Sequence, residues 1–177
     1  MQDVLVIGLG YVGLPLAIQA VRSGFRVTGL DTSEKIVAGL MAGRSHIDDV
    51  TDADVAEMLG QGFRATADEA EVAPQDVIVI CVPTPLSEAD GPDLSAVRAA
   101  TATAGRLLRS GTLVSLESTT YPGTTEEVVR ADVLSQLYGH HVDVLNVHGR
   151  VLIVAGAGED HDLSGHEGVF PGAGILP

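Results

Sequence analysis

The sequence predicts an α/β protein built on a doubly wound parallel sheet, and three observations carry that expectation. A continuous apolar run, Val4-Leu5-Val6-Ile7, leads through Gly8-Leu9-Gly10-Tyr11-Val12-Gly13 into a stretch of helical spacing, Leu14-Pro15-Leu16-Ala17-Ile18. A second strand-like segment, Arg26 to Leu30, ends in Asp31. Beyond it, strand and helix patterns alternate along most of the chain, as they do where parallel strands are joined by crossover helices.

The elements follow in order. Val4 to Ile7 is apolar without alternation, which suits a strand covered on both faces. Ser33 to Met41 reads as a helix capped by Thr32 or Ser33, and Asp52 to Leu59 as a second short helix. Phe63-Arg64-Ala65-Thr66 has the length of a short strand. Asp76 to Val82 is a buried strand, continuous and rich in β-branched residues. Leu94 to Leu108 has helical periodicity, with Asp93 or Ser95 as its cap, and Thr112 to Leu116 is the next strand. Thr124-Thr125-Glu126-Glu127 fits a capping box that opens a helix toward Leu137. Val142 to Val147 and Val151 to Ala155 are both strand-like, and the sequence does not say which of them joins the sheet. Past Gly156 the chain is rich in glycine, acids and histidine, the composition of an irregular tail. The expected organisation is a single Rossmann-type domain, residues 1–138, followed by a divergent and partly disordered segment, residues 139–177.

Composition narrows the function classes. The 177 residues are 45% hydrophobic, enough for one domain with a real core. The longest apolar runs have strand length, so no membrane span is expected. Met1-Gln2-Asp3 enters the first strand with no basic region before it, and Cys81 is the single cysteine. A cytoplasmic protein is therefore expected. The net charge of −14 and 3% aromatic content argue against nucleic-acid partners, which require cationic groups and stacking side chains. This acidity leaves room for an anionic ligand, because beyond a Debye length of about 8 Å the distant charges are screened and local amides decide.

The glycine-rich turn has one chemistry that suits its spacing. Gly8 permits the tight turn out of the strand, Gly10 allows close approach of a pyrophosphate, and Gly13 lets the helix pack near the sheet. The N–H groups of that helix's first turn then face the phosphates. Asp31 stands 18 residues beyond Gly13, near the spacing of the carboxylate that takes hydrogen bonds from an adenosine ribose. It favours NAD over NADP, because a carboxylate repels a 2′-phosphate and no arginine follows it at once. Lys35, one helical turn on, reaches toward the adenosine side or is simply solvated. The loop Pro83-Thr84-Pro85 is stiff, and Thr84 there either meets the cofactor or completes a plain turn. In Glu117 to Gly123, Thr119 and Thr120 either orient a substrate or water, or cap the following helix. Cys81 reads as a core residue with an inert thiol. The stretch Glu159-Asp160-His161-Asp162 with His166 and Glu167 reads as an unpacked segment, so no metal is expected.

Taken together and in order, Gly8 to Ala17, Cys81-Val82-Pro83-Thr84-Pro85-Leu86, Pro92-Asp93-Leu94-Ser95 and Leu116 to Glu127 resemble the UDP-glucose/GDP-mannose dehydrogenase family. The likeness covers about residues 3 to 130 and is nearest to members acting on UDP-N-acetylhexosamines, such as UDP-N-acetylglucosamine. It implies a four-electron, NAD-dependent oxidation of the sugar C6 alcohol to the uronate, for polysaccharide biosynthesis, through a covalent thioester on a cysteine. By position it implies that Gly8, Gly10, Tyr11, Val12 and Gly13 hold the pyrophosphate and that Asp31 and Lys35 hold the adenosine ribose. Pro83 and Thr84 then line the cofactor cleft, and Thr119 stands where the family contacts cofactor and organises the reacting centre.

The chain departs from the family pattern after about Ala131. The family's Ser-Pro-Glu motif has no counterpart in Asn146-Val147-His148-Gly149-Arg150, and no glycine-flanked cysteine is present. The expectation is a truncated, catalytically incomplete NAD-binding part, prone to self-association through exposed apolar surface. A nucleotide sugar would be the substrate of the parent enzyme. The alternative from another class is a stand-alone NAD-binding or regulatory module without catalysis.

Overall fold

The computed structural model describes residues 1–87, 91–117, 142–147 and 150–155. Strand β1 (Asp3–Ile7) leads to helix α1 (Gly13–Arg22), then β2 (Arg26–Leu30), α2 (Glu34–Met41), α3 (Asp52–Gly60) and β3 (Arg64–Thr66). A 3₁₀ turn, Glu69–Glu71, precedes β4 (Val77–Ile80). Two short strands, β5 (Leu86–Ser87) and β6 (Gly91–Pro92), come before α4 (Ser95–Leu107) and β7 (Leu113–Leu116). Strands β8 (Val142–Val147) and β9 (Arg150–Ala155) complete the described elements.

Among the described residues the main sheet has seven strands in the order β3-β2-β1-β4-β7-β9-β8. The first five are mutually parallel, with β1 between β2 and β4 and paired Ile7 to Leu30 and Ile7 to Ile80. The chain leaves β1 toward one side for β2 and β3, then crosses back to β4 and β7 on the other. That reversal lies beside the carboxyl end of β1, where an open α/β sheet forms a crevice. The two strand-like runs whose pairing the sequence leaves open form an antiparallel pair, and β9 lies antiparallel to β7 with Leu116 opposite Val151. Pairing partners of this kind are set by tertiary context, which periodicity alone does not encode.

The side chains of β1 alternate between two cores. Val4 and Val6 pack with Leu14, Ala17, Ile18 and Val21 of α1 and with Val55 and Met58 of α3. Leu5 and Ile7 pack on the opposite face with Ile78, Ile80, Val97, Ala100 and Ala104. Both faces of β1 are therefore dry, each fully buried aliphatic side chain contributing about 1.5–3 kcal/mol, and the strand is a fixed platform for the turn that follows it. The caps of α2 and α3 come from side chains. Ser33, of the two candidates, caps α2 by accepting from Ile36 N–H, and Thr51 forms a reciprocal capping box with Asp54 at α3. The α4 cap differs from both residues expected: Leu94 occupies that position without a side-chain bond, while Asp93 accepts from Ser95 N–H at 2.9 Å. The aspartate one residue further out thus satisfies the first amide of the helix, one of those without an intrahelical partner.

Helix α1 has no such arrangement. Its cap residue is Val12, which offers no side-chain acceptor, and no acidic side chain lies in its first turn. The helix expected to open at the Thr124 capping box lies outside the described residues, as does the segment beyond residue 155.

Candidate functional site

The turn after β1 is built by contact with its neighbours. Gly8 has φ +91°, and its N–H donates to Leu30 O at 2.8 Å. A Cβ at Gly8 would stand 2.6 Å from the carbonyl oxygen of Cys81, so the turn passes directly over the end of β4. A Cβ at Gly13 would stand 1.8 Å from Gly8 O, which places the start of α1 against that same turn. Gly10 is different: a Cβ there would meet nothing within 4 Å, and the residue faces an open cleft. Leu14 N–H donates to Gly10 O at 3.0 Å, so the amides of residues 11–13 stand ahead of the helical ladder.

Asp31, at the end of β2, ties this turn to the second helix. Its Oδ2 accepts from Leu9 N–H at 2.8 Å and its Oδ1 from Ser33 N–H at 2.9 Å, while its own N–H donates to Thr66 O. Leu9 is fully buried, and Gly29 makes room for it, since a Cβ on Gly29 would stand 2.7 Å from Leu9 Cδ2. The peptide of Leu9 is thus held from both sides, and Gly10 inherits that fixed position.

Gly8, Gly10, Asp31 and Thr32 form one wall of a cleft of about 630 Å³. Cys81, Val82 and Pro83 form its floor at the end of β4. Ala96, Ala99, Ala100 and Thr103 of α4 line it as well, together with Ala67, Asp68 and Glu69. Among the described residues the lining carries three carboxylates and no lysine, arginine or histidine. Glu69 accepts from Thr103 Oγ1 at 2.9 Å and from Arg106 Nε and Nη2 at 3.0 and 2.7 Å. Hydrogen bonds from Arg106 and then Thr103 hold its carboxyl below the usual range, so it stays ionised. Burial, with a further push from Glu117, raises the Cys81 thiol to about 12. A thiol of that kind is neutral and a poor nucleophile at neutral pH.

Gly8, Gly10, Asp31 and Pro83 line the cleft, and Gly13 is buried beneath Gly8. Tyr11 and Val12 are exposed, at 70% and 55%, beside the open start of α1. Lys35 is exposed in the first turn of α2, where its neighbour Ile36 reaches the cleft. Thr84 is half-buried and follows Pro83 in the loop, outside the cleft lining. Thr119 lies outside the described residues, with Ser118, Thr120 and the 159–167 stretch.

From the sequence, Thr32 is only a candidate helix cap, and Gly29, Ile36, Ala67 to Glu69 and the α4 residues are passed over as parts of a site. A signal for the last was present, because Ala96, Ala99, Ala100 and Thr103 recur at the spacing of one helical face, all of them small. A large side chain on that stripe would fill the cleft.

The turn and the cleft fit a dinucleotide. Gly10 leaves open a space that any side chain would occupy, the uncapped start of α1 offers amides and the positive end of its dipole, and a carboxylate lies alongside. Comparison with known proteins agrees. The model of the UDP-glucose/GDP-mannose dehydrogenase family, NAD binding domain, matches residues 2–149, which runs through β8 and so past residue 131, where the resemblance read from the motifs stops. The UDP-N-acetyl-D-mannosamine dehydrogenase of Pyrococcus horikoshii is 40% identical over 129 residues, 72% of this chain and 31% of that protein. The UDP-N-acetyl-D-glucosamine 6-dehydrogenase of Pseudomonas aeruginosa is 38% identical over 125 residues, 70% of this chain and 29% of the relative. The solved structure of the UDP-D-ManNAc dehydrogenase from Pyrococcus horikoshii superposes with a TM-score of 0.71 at 38% identity, over 77% of this chain and 32% of that one. The matched region therefore spans about a third of the length of these relatives. NAD is the cofactor of the matched domain. Among the described residues, no helix is long and apolar enough to cross a membrane.

Proposed function

The chain belongs to the UDP-glucose/GDP-mannose dehydrogenase family, and from that premise we propose that it holds the NAD of a nucleotide-sugar 6-dehydrogenase. The substrate class is a UDP-N-acetylhexosamine, as in the names of the relatives, with UDP-glucose as the related choice, and the product is the corresponding uronate. When bound, NAD supplies the acceptor for hydride from the sugar C6 carbon. The observation that carries this reading is the open position at Gly10 between the uncapped start of α1 and Asp31.

The residues divide the work. The amides of Gly10, Tyr11, Val12 and Gly13 hold the diphosphate, and the α1 dipole favours its charge. Asp31 already accepts two backbone N–H groups, and a carboxylate has about four lone-pair sites, so it can also take hydrogen bonds from a ribose. Lys35 reaches the same ribose from α2, Pro83 and Thr84 border the cofactor at the end of β4, and Thr119 organises the reacting centre. Residues 1–138 are the NAD-binding unit, to which the β8–β9 pair adds an outer edge. A lone, buried cysteine suits a cytoplasmic setting.

Cys81 is the one cysteine in these 177 residues, and its thiol is raised to about 12 by burial. Covalent capture of an aldehyde needs an available thiolate, so this chain takes up NAD without completing the oxidation. Calorimetric titration with NAD and NADP tests the binding half: NAD is expected to bind, with NADP weaker by about tenfold or more because Asp31 meets its 2′-phosphate. A folded chain that gives no heat with NAD refutes the reading. Incubation with NAD and either UDP-N-acetylglucosamine or UDP-glucose is expected to yield no NADH absorbance, and sustained turnover would reject the incomplete-site proposal.

A further inference from the structure

The cleft has one part that neither the diphosphate nor the ribose explains. Beyond Asp31 and Thr32 its lining includes Ile36, the small residues Ala96, Ala99 and Ala100 of α4, and the two acids Asp68 and Glu69. An apolar lining of this kind suits a flat heteroaromatic ring. The two acidic side chains offer acceptors, since they are carboxylates.

The two acids are held differently. Both oxygens of Glu69 are engaged by Arg106, with Thr103 also on Oε2, so Glu69 braces its own segment against α4. Asp68 Oδ1 accepts from Ala70 N–H at 2.9 Å, and its own N–H donates to Thr66 Oγ1 at 3.0 Å. These bonds fix the orientation of the Asp68 carboxylate and leave acceptor capacity on its second oxygen. We propose that Asp68 is a specificity-determining residue that reads the 6-amino group of the adenine ring, so that this cleft prefers a 6-amino purine dinucleotide over its 6-oxo counterpart. A carboxylate attracts the amino hydrogens of adenine and repels the carbonyl oxygen at the same position of hypoxanthine. Glu69, clamped by Arg106, keeps the loop at the distance where Asp68 can do this.

The inference rests on the cleft being the dinucleotide site, and the experiment separates the two. NAD and nicotinamide hypoxanthine dinucleotide are titrated into the wild-type chain, Asp68→Asn and, as a surface control, Asp48→Asn. The wild type and the control are expected to favour NAD by about tenfold, the lower end for a hydrogen bond to a charged group at an accessible site. Asparagine retains the acceptor that caps the 3₁₀ turn, so the fold persists, while its amide can donate to a 6-oxo group. In Asp68→Asn the preference is therefore expected to fall to within about twofold, by weaker NAD binding and tighter binding of the analogue. Equal affinity of the wild type for both dinucleotides, or an unchanged ratio in Asp68→Asn, overturns the proposal while leaving the NAD site intact. Absence of binding by either dinucleotide to folded wild type overturns the site and the inference together.

Discussion

Gly10→Ala adds one methyl group at a point where the protein itself leaves space, since among the described residues no atom beyond the two chain neighbours lies within 4 Å of the added carbon. The backbone there is not in the left-handed region, in contrast to Gly8 at φ +91°. Alanine restricts the unfolded chain more than glycine does, so the fold gains about 0.4–1 kcal/mol. For a chain of this size that raises Tm by about 1–4 °C. The ligand should meet the opposite effect, because the methyl stands in the cleft where, on the proposed reading, the diphosphate approaches the amides of residues 10–13. Losing one or two hydrogen bonds between N–H and charged oxygen costs about 1.5–3 kcal/mol, or about 10- to 150-fold in Kd. Thermal unfolding with and without NAD, together with calorimetric titration, reads both quantities on one sample. An alanine variant with unaltered NAD affinity would refute the argument that this face of the turn carries the diphosphate. A variant that unfolds much earlier than the wild type would refute the reading of the space as free.

Gly13→Ala is the contrasting case: its Cβ would collide with Gly8 O at 1.8 Å, and relief requires moving α1 away from the turn. Tm is expected to fall by about 6–12 °C, equivalent to about 3 kcal/mol of overpacking, as a melting curve will show. Thr51→Ala removes the hydroxyl that accepts from Asp54 N–H at 3.1 Å and should cost about 1 kcal/mol, or about 2–4 °C. The Thr51 hydroxyl, then Arg22, hold the Asp54 carboxyl at about 2. The stability this group contributes is present above its ordinary value of 3.8 and is lost as pH falls toward 2, so acid unfolding of Thr51→Ala should show a weaker dependence on pH in that window. For Cys81 the sign reverses. The folded thiol ionises near 12 against 9.0 unfolded, so its contribution is intact below pH 9 and is lost as pH rises toward 12. Cys81→Ser should lessen this alkaline loss in denaturant titrations, and native Cys81 should resist alkylation at neutral pH.

The parallel part of the sheet was legible because each strand announces itself locally. The runs at 4–7 and 77–80 are apolar on both faces, and the structure buries Val4 and Val6 on one side and Leu5 and Ile7 on the other. The glycines were legible for a related reason, since a turn that crosses another strand's carbonyl at the distance Gly8 keeps from Cys81 excludes every side chain. Residues 142–155 were harder. Their apolar, β-branched content marks strands, but antiparallel attachment to β7 depends on tertiary context, and no local pattern records that. The α4 cap shows the same limit at smaller scale: Asp93 and Ser95 were both reasonable, and the bond that forms joins the two.

The site was legible in its residue types and less so in its connections. Spacing singles out Asp31 as a ribose acceptor, yet it does not reveal that the same carboxylate holds Leu9 N–H and Ser33 N–H. Those bonds give Asp31 a structural task beside its proposed binding one, because they fix the glycine turn relative to α2. A substitution there disturbs both at once, and lower affinity alone would not say which had failed. Gly10 escapes this ambiguity. It has no side chain to support the turn and it lines the cleft, so a loss of NAD affinity in an alanine variant whose Tm has not fallen is a cost to the ligand.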